Sequence, residues 1–210
     1  MLDAKIVLVL APHTDDGEFG CGGTIAKLVE VGIRVVYVAF SAAEQSVPDH
    51  LSKDILRTEV KEATHELGIA SSDCLVLNHR VRQFPELRQS ILDDMIRLNS
   101  EYKPDVVFLP SQNDTHQDHN VIAQEGFRAF KRTTMFGYEI PWNNLEFRTS
   151  GFCTLENRHL ECKIKALKCY KSQAHRSYAS EEFINSLAIT RGTQIGVRYA
   201  EAFDVIRWVG

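Results

Sequence analysis

The chain has 210 residues, of which 44% are hydrophobic and 25% are charged, and its formal net charge is −4. This composition is that of a folded globular protein and predicts a single domain over residues 1–210, while the mildly acidic balance argues against a nucleic-acid-binding surface, which is usually basic. No apolar run approaches the roughly 20 residues that a membrane-spanning helix needs, and the N-terminus lacks a signal-peptide pattern.

Short β-rich runs alternate with longer amphipathic segments along the first two-thirds of the chain. The pattern predicts strands at residues 5–11, 34–40, 74–77 and 105–109, and helices at residues 24–31, 51–67, 85–102 and 118–130. In the less regular last third it predicts a strand at 136–139 and helices at 158–170 and 180–191, while 199–208 fits either state. Alternating strands and helices predict a Rossmann-like α/β fold, with a mainly parallel sheet and helices on both faces.

A burst of polar residues, APHTDDGE at positions 11–18, follows the first predicted strand. His13 and Asp16 are three residues apart on a strand-to-loop turn, a spacing that can bring an imidazole and a carboxylate to one metal ion. Asp15 lies between them and is then free to handle a proton. The plainer interpretation is that the two aspartates only cap the following helix and that His13 is a turn residue.

A second burst, NDTHQDH at positions 113–119, follows the predicted strand at 105–109. In its His-x-Asp-His group (His116, Asp118 and His119), one imidazole can bind metal while the other, paired with the acid, moves a proton or stabilises an oxyanion. The alternative is a polar helix N-terminus capped by Asp114 or Thr115. Because parallel sheets bind ligands beyond the carboxyl ends of their strands, we expect both clusters to form one three-ligand catalytic metal site.

The stretch Gly20-Cys21-Gly22-Gly23 is only weakly similar to a phosphate-binding turn, because it matches neither GxGxxG nor GxxxxGK[ST]. We interpret its small residues as letting a helix N-terminus approach the metal loop closely. The aromatic residues Tyr138, Trp142 and Phe147 are candidates for stacking on a sugar ring, or else for core positions. The remaining histidines are isolated, and surface or helix-face positions are expected for them: His50, His65, His79, His159 and His175.

Two motifs are similar to those of a known family. Residues 12–18 resemble the (A)HPDDE motif of the PIG-L/LmbE-like zinc N-deacetylases, and residues 116–119 resemble the HxDH motif of the same family. Thr14 stands where the motif usually has Pro, which changes loop rigidity more than chemistry. Gly17 shifts the motif's acidic residue by one position, to Glu18.

The resemblance implies one zinc ion per chain, bound by three residues, with Asp15 as the general base. The implied metal ligands are His13, Asp16 and His119. It also implies that His116 is the partner acid or oxyanion stabiliser, that Asp118 orients or charges it, and that Arg57 contacts the substrate sugar or its phosphate. From the residues alone, Arg57 is a helix surface residue.

The reaction that the resemblance implies is hydrolysis of an N-acetyl group on an amino sugar, a nucleotide sugar or a glycoconjugate, with zinc or iron as the metal. Two alternatives stay open: a metal-dependent phosphoester hydrolase, and a non-catalytic Rossmann-like nucleotide or sugar binder that uses the glycine-rich turn. The five cysteines are scattered and form no CxxC pair, which indicates free thiols in a reducing cytoplasm. A homo-oligomer is compatible with the apolar last third.

Overall fold

The computed structural model describes residues 4–174 and 176–210, so His175 lies outside the described residues. Its strands and α-helices follow one another as β1 (Ile6–His13), α1 (Asp16–Glu30), β2 (Arg34–Ser41), α2 (Ile55–Glu66), β3 (Cys74–Val76), α3 (Arg88–Tyr102), β4 (Val106–Pro110), α4 (Gln117–Ala129), β5 (Thr134–Tyr138), β6 (Gly151–Leu155), α5 (Asn157–Lys168), α6 (Glu181–Gln194) and β7 (Tyr199–Arg207). The strands form one sheet in the order β3-β2-β1-β4-β5-β7-β6. Within the described part of the chain, none of the helices has the length and apolar character that crossing a bilayer requires.

The direction of the strands confirms the predicted mainly parallel sheet. Strands β1 to β5 run parallel, and β7 runs antiparallel to both of its neighbours. The chain builds the sheet outward from β1 to β3, and then returns to place β4 on the other side of β1. The topological switch point therefore lies between β1 and β4, where both polar clusters begin.

Helices cover both faces of the sheet, as the alternation predicted. In β1, Val7 and Val9 face the core that α1, α2 and α5 cover, whereas Leu8 and Leu10 face the core that α3 and α4 cover. These four side chains are essentially inaccessible to solvent. Burial on both sides explains why β1 is a continuous apolar run.

Three elements differ from the sequence expectations. Helix α1 begins at Asp16, well before the predicted residue 24, because its glycines are packed rather than free: a Cβ on Gly20 would lie 2.3 Å from Tyr138 Cδ2. The ambiguous segment 199–208 is a strand, β7. Strand β6 was not predicted, and its five residues pair with β7 at the edge of the sheet.

Candidate active site

Three side-chain atoms from the two polar clusters converge beyond the ends of β1 and β4. His13 Nδ1 lies 3.1 Å from Asp16 Oδ2. His119 Nε2 lies 3.2 Å from the same Oδ2 and 3.3 Å from His13 Nδ1. Ligand atoms about 2.0–2.2 Å from a tetrahedral metal ion are about 3.3–3.6 Å apart, so the spacing is close to that needed for one such ion. All three residues are buried.

A carboxylate stands behind each imidazole of this cluster. Asp118 Oδ2 lies 2.9 Å from His13 Nε2, and Asp114 Oδ2 lies 2.7 Å from His119 Nδ1. An ionised carboxylate only accepts hydrogen bonds, so in the neutral rings these outer nitrogens carry the hydrogens. The inner nitrogens then direct lone pairs at each other and at Asp16, an arrangement that a metal cation fits.

The pKa values of His119 and Asp16 reflect the close contact of these side chains. Burial lowers the pKa of His119, but the Asp16 and Asp114 carboxylates together outweigh burial and raise the pKa to about 10. Burial raises the pKa of Asp16, but His119 and His13 together hold it well below its ordinary range. The cluster therefore favours a positive charge among its three atoms, and a donor set of two imidazoles and one carboxylate suits zinc or iron.

His116 borders the cluster and is half-buried. One possible ligand atom from each of His13, His116 and His119 lies within 4.8 Å of the others. His116 Nδ1 accepts a hydrogen bond of 3.2 Å from the Asp118 backbone N–H and so caps α4. Burial, followed by the nearby histidines, lowers the pKa of His116, so at pH 7 its ring is neutral with the hydrogen on Nε2.

The side-chain partner of Asp118 differs from the sequence expectation, which paired Asp118 with the His116 ring. The Asp118 carboxylate instead bonds to His13 and accepts backbone N–H groups from Arg82 (2.7 Å) and Phe84 (3.3 Å). Toward His116, Asp118 donates its backbone N–H, and its charge raises the pKa of His116 against the effect of burial. The reason is geometric, because α4 begins at the switch point and its first turn directs this side chain across to the end of β1.

Asp15 is half-buried, and its side chain makes no capping bond to α1. The capping interpretation therefore fails for this residue. Burial and the neighbouring charge of Asp16 raise the pKa of Asp15 to about 6, although Arg176 and His13 act in the opposite direction. A carboxyl group with a pKa near neutrality beside a metal-type cluster is suited to accept and return a proton.

Glu18 and two tyrosines form a buried hydrogen-bonded group that stabilises the loop carrying Asp15. This carboxyl group is fully buried and bonds to the hydroxyls of Tyr37 and Tyr170, both of which also reach the carbonyl oxygen of Thr14. Burial raises the pKa of Glu18 to about 8, even though the two tyrosines lower it. Glu18 is therefore a largely neutral group that supports the loop. Its tyrosine partners lie far away in sequence, and no local spacing signalled them.

Arg57 lies in the first turn of α2. Its guanidinium donates to Glu44 Oε1 at 2.8 Å and to Asn78 Oδ1 at 2.6 Å. These bonds hold Arg57 between the loops that follow β2 and β3, at the same end of the sheet as the cluster.

The candidate aromatic residues occupy three different environments. Tyr138 is fully buried and its hydroxyl donates to Leu10 O, so the stacking interpretation is wrong for it. Phe147 lies under the guanidinium of Arg191. Trp142 is 39% exposed and stacks on Tyr178, with ring centroids 3.8 Å apart.

The fold and the site together are those of an α/β protein whose histidine and aspartate side chains could bind a metal ion at the switch point of the sheet. Residues 8–130 match the family model described as PIG-L, GlcNAc-PI de-N-acetylase. The chain therefore belongs to the PIG-L family of de-N-acetylases, as its two motifs indicated.

Relatives and solved structures agree with this assignment. The chain is 27% identical over 177 residues to the uncharacterized deacetylase YaiS of Escherichia coli, an alignment that covers 80% of this chain and 91% of YaiS. The structure of N,N'-diacetylchitobiose deacetylase from Pyrococcus horikoshii is similar with a TM-score of 0.81 and 27% identity, over 97% of this chain and 84% of that one. GalB, a 4-carboxy-2-hydroxymuconate hydratase from Pseudomonas putida, has the same fold at 18% identity and a TM-score of 0.77, over 98% of both chains. The fold alone therefore does not determine the reaction.

Proposed function

We propose that the protein is a zinc-dependent hydrolase that removes an N-acetyl or other N-acyl group from an amino sugar, a nucleotide sugar or a glycoconjugate. One observation carries the proposal: His13 Nδ1, Asp16 Oδ2 and His119 Nε2 lie 3.1–3.3 Å apart, with the half-buried Asp15 beside them in the same loop. Membership of a de-N-acetylase family supports the same reaction.

His13, Asp16 and His119 would hold one zinc ion per chain. Asp16 is preferred to His116 as the third ligand because its oxygen is within 3.2 Å of both inner nitrogens. When bound, zinc supplies Lewis acidity to the amide carbonyl and to the attacking water. The carboxylates of Asp118 and Asp114 fix the orientation of the two imidazoles, whose inner nitrogens would then be available to the ion.

The other residues of the site divide the proton chemistry. Asp15 takes a proton from the water that attacks the amide carbon, because its pKa suits a base near pH 7. His116 is neutral and donates a hydrogen bond from its Nε2–H to the oxyanion that forms on the amide oxygen. Because the neutral imidazole keeps its Nε2 hydrogen, Asp15 is the group that returns a proton to the departing amine.

Two surface features support a sugar substrate. Trp142 and Tyr178 form a partly exposed aromatic stack, and both rings lie edge-on to Phe19 of α1, one turn after Asp15. A sugar ring packs well on such a surface. Arg57 bonds to the loops after β2 and β3 at the same end of the sheet, and we propose that it contacts polar groups of the substrate.

The test is acetate release from a panel of N-acetylated amino sugars, nucleotide sugars and glycosides by zinc-loaded protein. We expect release from at least one class and a large loss of release in His116→Ala, which removes the oxyanion donor. An absence of release from the whole panel, by folded protein that contains metal, would refute the deacetylase proposal.

The two alternatives are less well supported. Two-metal phosphoesterases need carboxylates that bridge two ions, whereas the described cluster offers ligands for one. A nucleotide binder would use the free N–H groups of the glycine-rich turn, but the N–H groups of Gly23 and Thr24 are taken by the Glu201 carboxylate. Elemental analysis decides the first case, because that alternative requires two ions per chain.

We also propose a cytoplasmic location and self-association. All five cysteines are free thiols, which suits a reducing compartment. The exposed apolar side chains of Leu145 and Trp208 support a contact between copies of the chain. Cell fractionation and size-exclusion chromatography with light scattering test these two proposals separately.

A further inference from the structure

Helix α1, which begins with the proposed ligand Asp16, is broken at Cys21. The backbone of Cys21 is not helical (φ −148°, ψ 24°), so a short first segment is separated from the rest of the helix. In an unbroken α-helix, the N–H of Gly23 would bond to the carbonyl oxygen of Phe19, four residues earlier. At this break both groups are buried, and both need other partners.

A buried ion pair supplies those partners. Lys163, on α5, donates from Nζ to Phe19 O at 2.6 Å, and Glu201, on β7, accepts the Gly23 N–H at 3.0 Å. The two side chains bond to each other at 2.7 Å, and each is at most 7% exposed. Glu201 also accepts the Thr24 N–H at 2.7 Å through its second oxygen. The pair is thus inserted into the hydrogen-bond ladder of α1, between the acceptor and the donor that the break separates.

Hydrogen bonds through Phe19 connect the ion pair to the first segment of α1, which contains Asp16, and to Asp15 just before it. Lys163 donates a hydrogen bond to the carbonyl oxygen of Phe19, and the backbone N–H of Phe19 donates to the carbonyl oxygen of Asp15 at 3.1 Å. The same segment contains Asp16, whose Oδ2 also accepts the His13 backbone N–H at 2.8 Å. The position of the first segment therefore sets where both aspartates stand relative to His13.

The packing around the break is tight. A Cβ on Gly23 would lie 2.5 Å from a Leu155 methyl and 3.3 Å from Glu201 Oε1, and one on Gly22 would lie 3.0 Å from Lys163 Cγ. The glycines of the turn thus allow the ion pair to reach the backbone, and the carboxylate that the turn binds is one of the chain's own. The sequence analysis expected these small residues to let the helix approach the metal loop closely, whereas Gly22 and Gly23 leave room for the ion pair and for Leu155.

We propose that Lys163 and Glu201 are positioning residues that hold Asp15 and Asp16 in the geometry needed for metal binding and proton transfer. This inference rests on the proposed metal-dependent function. It predicts that loss of either side chain loosens residues 13–24 and weakens metal binding, beyond the loss of stability that any broken buried ion pair causes.

The test compares Glu201→Gln and Lys163→Met with Glu125→Gln. Glu125 is a matched control because it is fully buried and ion-paired with Arg88 and Arg128, but lies on α4 against the opposite face of the sheet. For each protein we would measure the thermal midpoint without metal, hydrogen exchange of peptides covering residues 13–24, zinc affinity by chelator competition, and kcat and KM at saturating zinc.

All three variants should have lowered thermal midpoints. Only the Glu201 and Lys163 variants should show faster exchange in residues 13–24, zinc affinity lower by about tenfold or more, and reduced kcat with unchanged KM. Because both side chains act at one break, the double variant should lose little more affinity than the weaker-binding single variant.

The outcomes separate the two proposals. A wild type that binds no divalent metal would refute the proposed function, and the exchange comparison would then decide only whether the ion pair holds residues 13–24 in place. Unchanged exchange in residues 13–24 of both variants would overturn that role even in an active enzyme. In a wild type that binds zinc, faster exchange with unchanged zinc affinity would overturn it as well.

Discussion

The Asp118 carboxylate lies 2.9 Å from Nε2 of His13, although the two residues are 105 positions apart in the sequence. The contact joins the first turn of α4 to the last residue of β1, across the switch point of the sheet. Asp118 is itself held by two backbone N–H groups and is fully buried. The His13 ring is therefore fixed with Nδ1 directed at Asp16 and His119.

The first prediction concerns this contact. Asp118→Asn replaces an acceptor-only carboxylate by an amide that can donate, so it no longer fixes the hydrogen on Nε2 of His13. We expect metal affinity to fall by about 10–100-fold, measured by competition with a chelator.

A second histidine–aspartate pair provides the control for this prediction. His79 Nε2 lies 2.8 Å from Asp94 Oδ2, and Asp94 is on α3, a helix that carries none of the proposed ligands. Asp94→Asn should leave metal affinity unchanged. Equal metal affinities in the wild type, Asp118→Asn and Asp94→Asn would show that Asp118 does not support a ligand.

The second prediction separates proton transfer from metal binding. Asp15→Asn preserves the size of the side chain but removes the base, so kcat should fall by at least about 100-fold. Zinc content, measured by elemental analysis of the purified variant, should stay at the wild-type level because Asp15 lies outside the three-atom cluster. His119→Ala is the opposite control, since it should lose the metal itself. Wild-type kcat in Asp15→Asn would contradict the assignment of the base.

The sequence predicted which residues gather at the site because their grouping is local. Both motifs follow buried strands, and the carboxyl ends of neighbouring parallel strands meet at one edge of a sheet. Pairings across the switch point have no such local signal. The sequence therefore suggested Asp118 as a partner of His116 and Asp114 as a helix cap, whereas their carboxylates bond to His13 and His119.

The fold shows the same limit. Periodicity located the central strands, which are buried on both faces, and most of the helices. It placed the start of α1 too late, because four glycines lower helix propensity, and the contacts that compensate are with Tyr37, Tyr138, Lys163 and Leu155. It missed β6, a short edge strand in which burial does not alternate cleanly. In both cases the deciding contacts come from distant parts of the chain.

The third prediction concerns removal of the metal. Chelation should abolish acetate release, and added zinc should restore it. Magnesium should not restore it, because magnesium prefers oxygen ligands to imidazole nitrogen. Elemental analysis of the active protein should give about one ion per chain. Full activity in the chelated protein would contradict a metal mechanism, and comparison of zinc-loaded with anaerobically iron-loaded protein would identify the better cofactor.

The fourth prediction concerns the opposite end of the strands that carry the two motifs. Asp105, just before β4, accepts the backbone N–H groups of Lys5 (2.7 Å) and Ile6 (3.0 Å) and donates its own N–H to Ile6 O. The hydrogen bonds from Ile6 and Lys5 lower the pKa of the exposed Asp105 carboxyl. Its stabilising effect is therefore fully present above the unfolded-state pKa of about 3.9, and is lost as the pH falls through the lower folded-state value.

Asp105→Asn should therefore lower the free energy of unfolding by about 1 kcal/mol at pH 7, and by less as the pH falls below about 4. Urea unfolding of both proteins from pH 3 to pH 7 measures this difference. At 25 °C the variant should keep wild-type kcat and metal affinity, because Asp105 lies at the far end of β4 from the metal cluster. A stability difference that is the same at every pH would show that the Asp105 charge does not stabilise the start of the β1–β4 pair.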